Sequence, residues 1–372
     1  MEKDRVFIIQ PCIPKYRVPL FDTLYNKQGM KIFVCAADKD ADGLESDLTG
    51  SFPFSTQIKE LSILRGKILF QLGVANNEFY RANIIVFPGN PRYLSSWAYY
   101  ILARCLRKRV VWWGQGWSAG SSKISYLLRR LLMKLFDATI LYTEQEAKNL
   151  KLKKVKPSNI HYLNNGLDLD SIQKVQGCYY NESNKLDGIV GYKSGPIELI
   201  FIGRLTKKSG IEFVIRTLID SSLDYRLTVV GDGELMDGIV ALMSGYSGER
   251  IQLLGAIHCE KKLARIMRNK HYFIYGGAVG LSLIHAYTYG LPAIIHSNLS
   301  SHMPEIAAFK ENKTGLCFNE YDKTSLLSTV KKAKEMPISH WREMSTQCVN
   351  KVENDFNINR MAKRFSDCIE SL

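Results

Sequence analysis

Short apolar runs alternate with amphipathic stretches along this chain, and the alternation occurs twice. In the first half the runs are Val6–Ile9, Lys31–Cys35, Ile84–Phe87, Val110–Trp113 and Thr139–Tyr142, with helical spacing near 17–27, 93–107, 122–136 and 144–152. In the second half they are Glu198–Ile202, Arg226–Val230, Ile251–Leu253, Tyr272–Tyr275 and Ala293–His296, with helices expected near 210–219, 234–244, 259–268, 280–289 and 322–335. Strands separated by helices pair in parallel, with helices covering both faces of the sheet. The fold class expected is therefore α/β, as two successive Rossmann-like units, and 372 residues suffice for two domains.

Residues 164–196 interrupt the rhythm with Gly, Asn and Ser and read as a linker plus an exposed loop. The expected division is 1–165 with the C-terminal helix 357–372, against 166–356. Eight cysteines lie scattered without a CxxC pair, so free thiols and a reducing compartment are expected. The N-terminus enters a strand at once, and no apolar run approaches the roughly 20 residues of a membrane span. A cytoplasmic chain, at most peripheral on the inner face of the cytoplasmic membrane, is the expectation.

Charge is uneven: the net charge is +14, and residues 81–156 alone hold 15 Lys/Arg against 3 Asp/Glu. Such a field attracts phosphate groups, whatever carries them. The amphipathic segment 123–136 places Ile124, Leu127, Leu128, Leu131 and Leu135 on one face and Lys123, Arg130 and Lys134 on another. It reads either as a domain helix with a solvated edge or as attachment to an anionic membrane surface. No nucleic-acid partner is expected, because the aromatics are not spaced as a stacking platform.

Three segments can carry chemistry. IFIGRLTKKSG (200–210) ends a strand in a glycine turn followed by Arg204, Lys207 and Lys208, fixed charges suited to a diphosphate. GGAVGLSLIHAYTYGLP (276–292) is a glycine turn opening a helix, where free amides and the helix dipole favour a phosphate. VVGDGE (229–234) ends a strand at Gly231. Each alone is compatible with an ordinary strand-to-helix loop. The spacing is not GxGxxG, and no acidic residue is placed for the ribose of a dinucleotide.

Together with IQLLGAI and HMPEIAAFKENKTGLCF, these stretches resemble, in order and spacing over residues 198–320, the C-terminal domain of the family 4 glycosyltransferases. These are retaining enzymes of the GT-B fold. NNGLD (164–168) resembles the motif preceding that domain, and PKYRVPLF (14–21) resembles the start of a subset of the family. The resemblance implies two Rossmann-like domains facing across a cleft, closing about the linker, with a C-terminal helix crossing back to the first domain. It implies transfer of a hexose-type sugar from a nucleotide-sugar donor to a glycan acceptor, often linked to a polyprenyl diphosphate, in cell-surface polysaccharide synthesis. No cofactor or metal is implied beyond the nucleotide-sugar co-substrate.

By position, the resemblance gives Arg204 and Lys208 the catalytic role of holding the donor diphosphate. Gly203, Gly231, Gly277, Ala278, Val279, Gly280, Leu281, His285 and Glu305 are implied to bind the donor. The acceptor is assigned to Tyr16, Arg17, Gln115 and Trp117. The chain departs from the family pattern in three places. Ser209 stands where the family lysine falls, with Lys207 the other candidate to replace it. Gly277 and His285 stand where the family has glutamates, the second of which takes the ribose hydroxyls. The first domain lacks the family histidine, as no histidine precedes His161. Histidine at 285 within GLxxIHA matches a subset of the family; the alternative is a helix histidine packed near a strand end. Two other readings remain: a nucleotide-sugar-binding pseudoenzyme and a GT-B nucleotide-sugar epimerase.

Overall fold

A computed structural model gives the fold and describes residues 4–41, 43–56, 58–64, 66–116, 123–152, 159–177, 195–244, 246 and 249–372. The chain divides into two compact units, Met1–Asp168 with Asn357–Leu372, and Leu169–Phe356.

The first unit holds β1 (Arg5–Ile9), β2 (Lys31–Cys35), β3 (Phe54–Ser55), β4 (Lys59–Ile63), β5 (Ile68–Leu72), β6 (Ile84–Pro88), β7 (Arg109–Trp113), β8 (Ala138–Leu141) and β9 (Ile160–Tyr162). Seven of them form a sheet in the order β3-β2-β1-β6-β7-β8-β9, and every neighbouring pair is parallel. Because side chains alternate across a strand, β1 serves two cores. Val6 and Ile8 pack with Leu20, Phe21, Met361 and Phe365 on one face. Phe7 and Ile9 pack with Phe79, Met133, Phe136 and Leu150 on the other. Burying each such side chain contributes roughly 1.5–3 kcal/mol.

Trp112 and Trp113 alternate likewise. The Trp112 ring centroid lies 5.3 Å from that of Phe136, and Trp113 lies 5.6 Å from Phe365. Both indoles are core residues. The helix Ile358–Glu370 belongs to this first unit, with the Asn357 side chain capping its start through the Arg360 amide at 2.8 Å. At its entrance Gly166 passes Asn357 so closely that a Cβ there would sit 2.4 Å from the Asn357 carbonyl carbon. The glycine of the NNGLD motif is thus required by packing.

The second unit holds β10 (Ile197–Ile202), β11 (Tyr225–Val230), β12 (Ile251–Leu253), β13 (Tyr272–Ile274), β14 (Ala293–His296) and β15 (Gly315–Phe318). They form one sheet in the order β12-β11-β10-β13-β14-β15, again parallel throughout.

Several elements differ from the sequence reading. The segment 164–196 is not all linker: Leu169–Gly177 is helical, anchored by buried Leu169 and Ile172, and 178–194 lies outside the described residues. The antiparallel hairpin β4–β5 and the strand β15 were not anticipated. Arg130 is buried instead of sharing a solvated face, whereas Leu127, Leu128, Leu131 and Leu135 are exposed. The helix Lys123–Met133 therefore turns an apolar side outward. Among the described residues no helix is long and apolar enough to cross a membrane.

Candidate functional site

In each sheet the chain leaves adjacent central strands in opposite directions, which opens a crevice at their carboxyl ends, the usual ligand position in such folds. In the second unit this point lies between β10 and β13, and their following loops are 203–210 and 276–280.

Glycines let these loops touch. Gly210 adopts φ +64°, and a Cβ on it would lie 2.3 Å from the Gly276 carbonyl carbon. A Cβ on Gly277 would meet the Lys208 carbonyl oxygen at 2.2 Å, and one on Gly231 would meet that of Gly203 at 1.8 Å. The Ala278 amide donates to the Lys208 carbonyl at 2.9 Å, joining the two segments directly.

Arg204, Lys207 and Lys208 are exposed beside this junction. The side chains of Arg204 and Lys208 make no hydrogen bond or ion pair with the described residues. Ser209 is buried, and its hydroxyl donates to the Thr206 carbonyl at 2.7 Å. Position 209 thus turns inward here, and the cations stand at 207 and 208. The amides of Gly277, Gly280 and Leu281 donate to no acceptor among the described residues, and the last opens the helix Leu281–Thr288. Unpaired amides at a helix start, backed by the helix dipole and flanked by three cations, form an anion-binding arrangement.

A buried histidine pair supports this loop. His302 Nδ1 accepts the Val279 amide at 3.1 Å, so its Nε2 carries the proton and donates to the His296 carbonyl at 3.0 Å. The two imidazoles stack at 3.9 Å. Burial pushes the His302 pKa down to about 4. Glu305 is buried behind the loop, and a Cβ on Gly280 would lie 3.7 Å from its carboxylate.

His285 lies in the same helix with Nε2 2.9 Å from Glu260 Oε1, and the Tyr289 hydroxyl donates to the same oxygen. Burial alone would raise the Glu260 pKa, but the His285 and Tyr289 hydrogen bonds hold it below the usual carboxylate range. The carboxylate missing from position 285 is thus present on a neighbouring helix. Sequence reasoning missed Glu260, which is brought to His285 only by the fold.

In the first unit the expected acceptor residues scatter. Tyr16 is exposed. Arg17 is buried with its guanidinium 4.9 Å over the Trp113 ring, so it braces the core. Gln115 lines a cavity of about 490 Å³ at the carboxyl ends of β1, β6 and β7, together with Gln10, Asn90, Arg92, Trp113 and Arg129. Trp117 lies outside the described residues. Arg92 and Arg129 carried no motif and were also missed.

The chain is similar to several known glycosyltransferases. Residues 183–355 match the family model of the group 1 glycosyl transferases. The chain is 24% identical over 262 residues to an Escherichia coli UDP-Gal:α-D-GlcNAc-diphosphoundecaprenol α-1,3-galactosyltransferase, covering 66% of this chain and 64% of that protein. It is 26% identical over 185 residues to a glycogen synthase of Desulfitobacterium hafniense, covering 47% of this chain and 38% of the synthase. The chain thus spans less than two thirds of the length of the curated relatives it matches. A glycosyltransferase crystal structure from Rickettsia africae superposes over 100% of this chain and 99% of its own, with TM-score 0.71 at 11% identity. An Anabaena protein crystallised with UDP and glucose covers 99% of this chain and 100% of its own, with TM-score 0.65 at 12% identity. The fold is that of the GT-B glycosyltransferases, with two Rossmann-like units.

Proposed function

We propose that the chain is a retaining glycosyltransferase that moves a hexose-type sugar from a nucleotide sugar to a glycan acceptor, lipid-linked, in cell-surface polysaccharide synthesis. The observation that carries this reading is the junction of loops 203–210 and 276–280, where free amides and unpartnered Arg204 and Lys208 converge. Such a site holds a diphosphate and stabilises the charge that develops on it as the sugar leaves. In a front-face mechanism the anomeric carbon–oxygen bond breaks, the acceptor oxygen attacks from the same side, and a diphosphate oxygen takes the acceptor proton. The protein's tasks are then positioning and electrostatics, which suits a site built from amides and cations. The Glu260 carboxylate, held by His285, lies beside the donor helix and is available to the ribose hydroxyls. The activity for which the E. coli relative is named, transfer to a diphosphoundecaprenol-linked sugar, supports a lipid-linked acceptor.

A membrane-surface role for 123–136 is part of this reading. Exposed Leu127, Leu128, Leu131 and Leu135 supply apolar area, and nearby Lys and Arg would each add about 1 kcal/mol on an anionic bilayer. A cytoplasmic, peripheral location follows from it.

Thermal shifts with UDP-, GDP-, ADP- and dTDP-sugars test the donor site, and stabilisation by none of them would remove it. Slow hydrolysis of the stabilising donor, lost in Arg204→Ala, identifies a transferase. The anomer of the product, read by NMR, tests retention. A second reading, donor binding without turnover, is favoured by Gly277 and His285 standing where glutamates are expected; tight binding with no hydrolysis or transfer would establish it.

A further inference from the structure

The first-unit cavity has features of a built anion site. It opens where β1 and β6 part, the same switch position that the donor loops occupy in the second unit. Two guanidiniums, from elements distant in sequence, line it. Arg129, on the helix Lys123–Met133, has a buried Nε with no hydrogen-bond partner among the described residues. Arg92 is tethered on one side only, by its Nη1 to the Gly66 carbonyl at 3.1 Å and its Nε to Asn90 Oδ1 at 3.4 Å.

Burial presses the Arg129 pKa down; the Glu146 carboxylate raises it and the Arg92 cation lowers it further. Glu146 is occupied by other donors. Its two oxygens accept the Gly116 amide at 3.0 Å and the Thr143 amide at 3.1 Å. Two like charges line a polar cavity, and no carboxylate is among its described lining residues. An anion entering between them would satisfy the buried Arg129 Nε and offset the repulsion between the two cations. Gln10, Asn90 and Gln115 add uncharged hydrogen-bonding groups around the same space.

The geometry points to the cavity at Arg92 and Arg129 as a binding site for a phosphate or diphosphate group, with the two guanidiniums on its oxygens. Planar, multidentate guanidiniums suit this ligand. That the group belongs to the acceptor rests on the proposed transferase reading; that the cavity takes such a group does not. In the transferase, the site fixes the acceptor by its anionic link and leaves its sugar hydroxyl free to react.

The experiment titrates inorganic diphosphate calorimetrically into the full chain carrying Arg204→Ala, which removes the cation of the proposed donor site. Binding is expected to persist there and to weaken at least tenfold when Arg129→Gln or Arg92→Gln is added, with Arg129→Lys intermediate. Unchanged melting temperatures separate loss of the site from loss of the fold. Equal binding in all four proteins would overturn the proposal, as would absence of binding in Arg204→Ala alone. Flotation with phosphatidylglycerol vesicles is the second arm. Arg129→Gln should float as its parent does; if it loses vesicles but keeps diphosphate, the cavity is not the phosphate site. Failure of the transferase reading has a different mark, no stabilisation by any nucleotide sugar while diphosphate binding persists.

Discussion

The two units share a plan and differ in what they place at its centre. Each is a parallel sheet whose chain parts at a central pair of strands, and in each a pair of facing glycines lets two loops at the carboxyl ends of neighbouring strands approach. In the second unit Gly210 and Gly276 meet after the parting strands β10 and β13; in the first, after β6 and β7, a Cβ on Gly89 would lie 2.5 Å from the Gly114 Cα, and the reverse holds at Gly114. Above those glycines the second unit presents backbone amides and exposed cations, whereas the first presents a half-enclosed cavity walled by long side chains. Amides are fixed by the fold and suit a ligand part that is always the same. Side chains can be exchanged without disturbing a strand, and suit a ligand part whose recognition must be adjustable.

The largest effect should come from the second unit. Arg204→Ala is expected to lower kcat about 10²–10³-fold, as removal of a group that stabilises developing charge does elsewhere. A first-unit substitution with an equal loss in acceptor-free hydrolysis would undo the division of labour.

Next comes acid. His302 is held neutral with its pKa near 4, below its unfolded value. The unfolded chain therefore binds more protons between about pH 6.5 and 4. The stabilisation His302 gives is complete above that window and is lost as pH falls through it. Urea melts across the window should show the second unit failing first, and His302→Asn, which keeps an acceptor for the Val279 amide, should flatten the slope. An unchanged slope would remove the histidine pair from the account.

Glycine replacement tests the shared part of the plan. Gly277→Ala and Gly89→Ala should each destabilise by roughly 1–3 kcal/mol, because the facing backbone must shift. Only the first should also abolish donor stabilisation in thermal shifts. His285→Ala comes next: freeing Glu260 should weaken the donor about tenfold, seen in KM more than kcat, with Glu260→Gln following it. Leu131→Ser should be the smallest, within about 0.5 kcal/mol in stability but lowering flotation on anionic vesicles.

How much of this was legible in the sequence follows a physical divide. The strands at Val6–Ile9 and Glu198–Ile202 announce themselves because strands buried on both faces need unbroken apolar runs. The loop of Arg204 and Lys208 was legible because its glycines and cations are local. The hairpin β4–β5 was not, since KELSI is largely exposed and mixes charge with apolar residues. Nor was β15, four residues following a charged turn. Glu260 with His285, His302 with Val279 and Arg92 with Arg129 exist only as contacts across folded distances, and no local pattern encodes them. Arg130 was misread because helical spacing gives the faces of a helix but not which one meets the core.

The helix Ile358–Glu370 carries a consequence for how the molecule is made. Its Met361, Phe365 and Ile369 complete the core around Val6 and Ile8, and the Ile358 amide donates to the Leu167 carbonyl at 3.0 Å. On the ribosome, the first unit waits for this helix while all of Leu169–Phe356 is synthesised. At elongation rates of about 5–20 residues per second the wait is about 10–40 s. Throughout it the apolar groove that will receive the helix stands open, so the half that begins synthesis first is the half that finishes folding last.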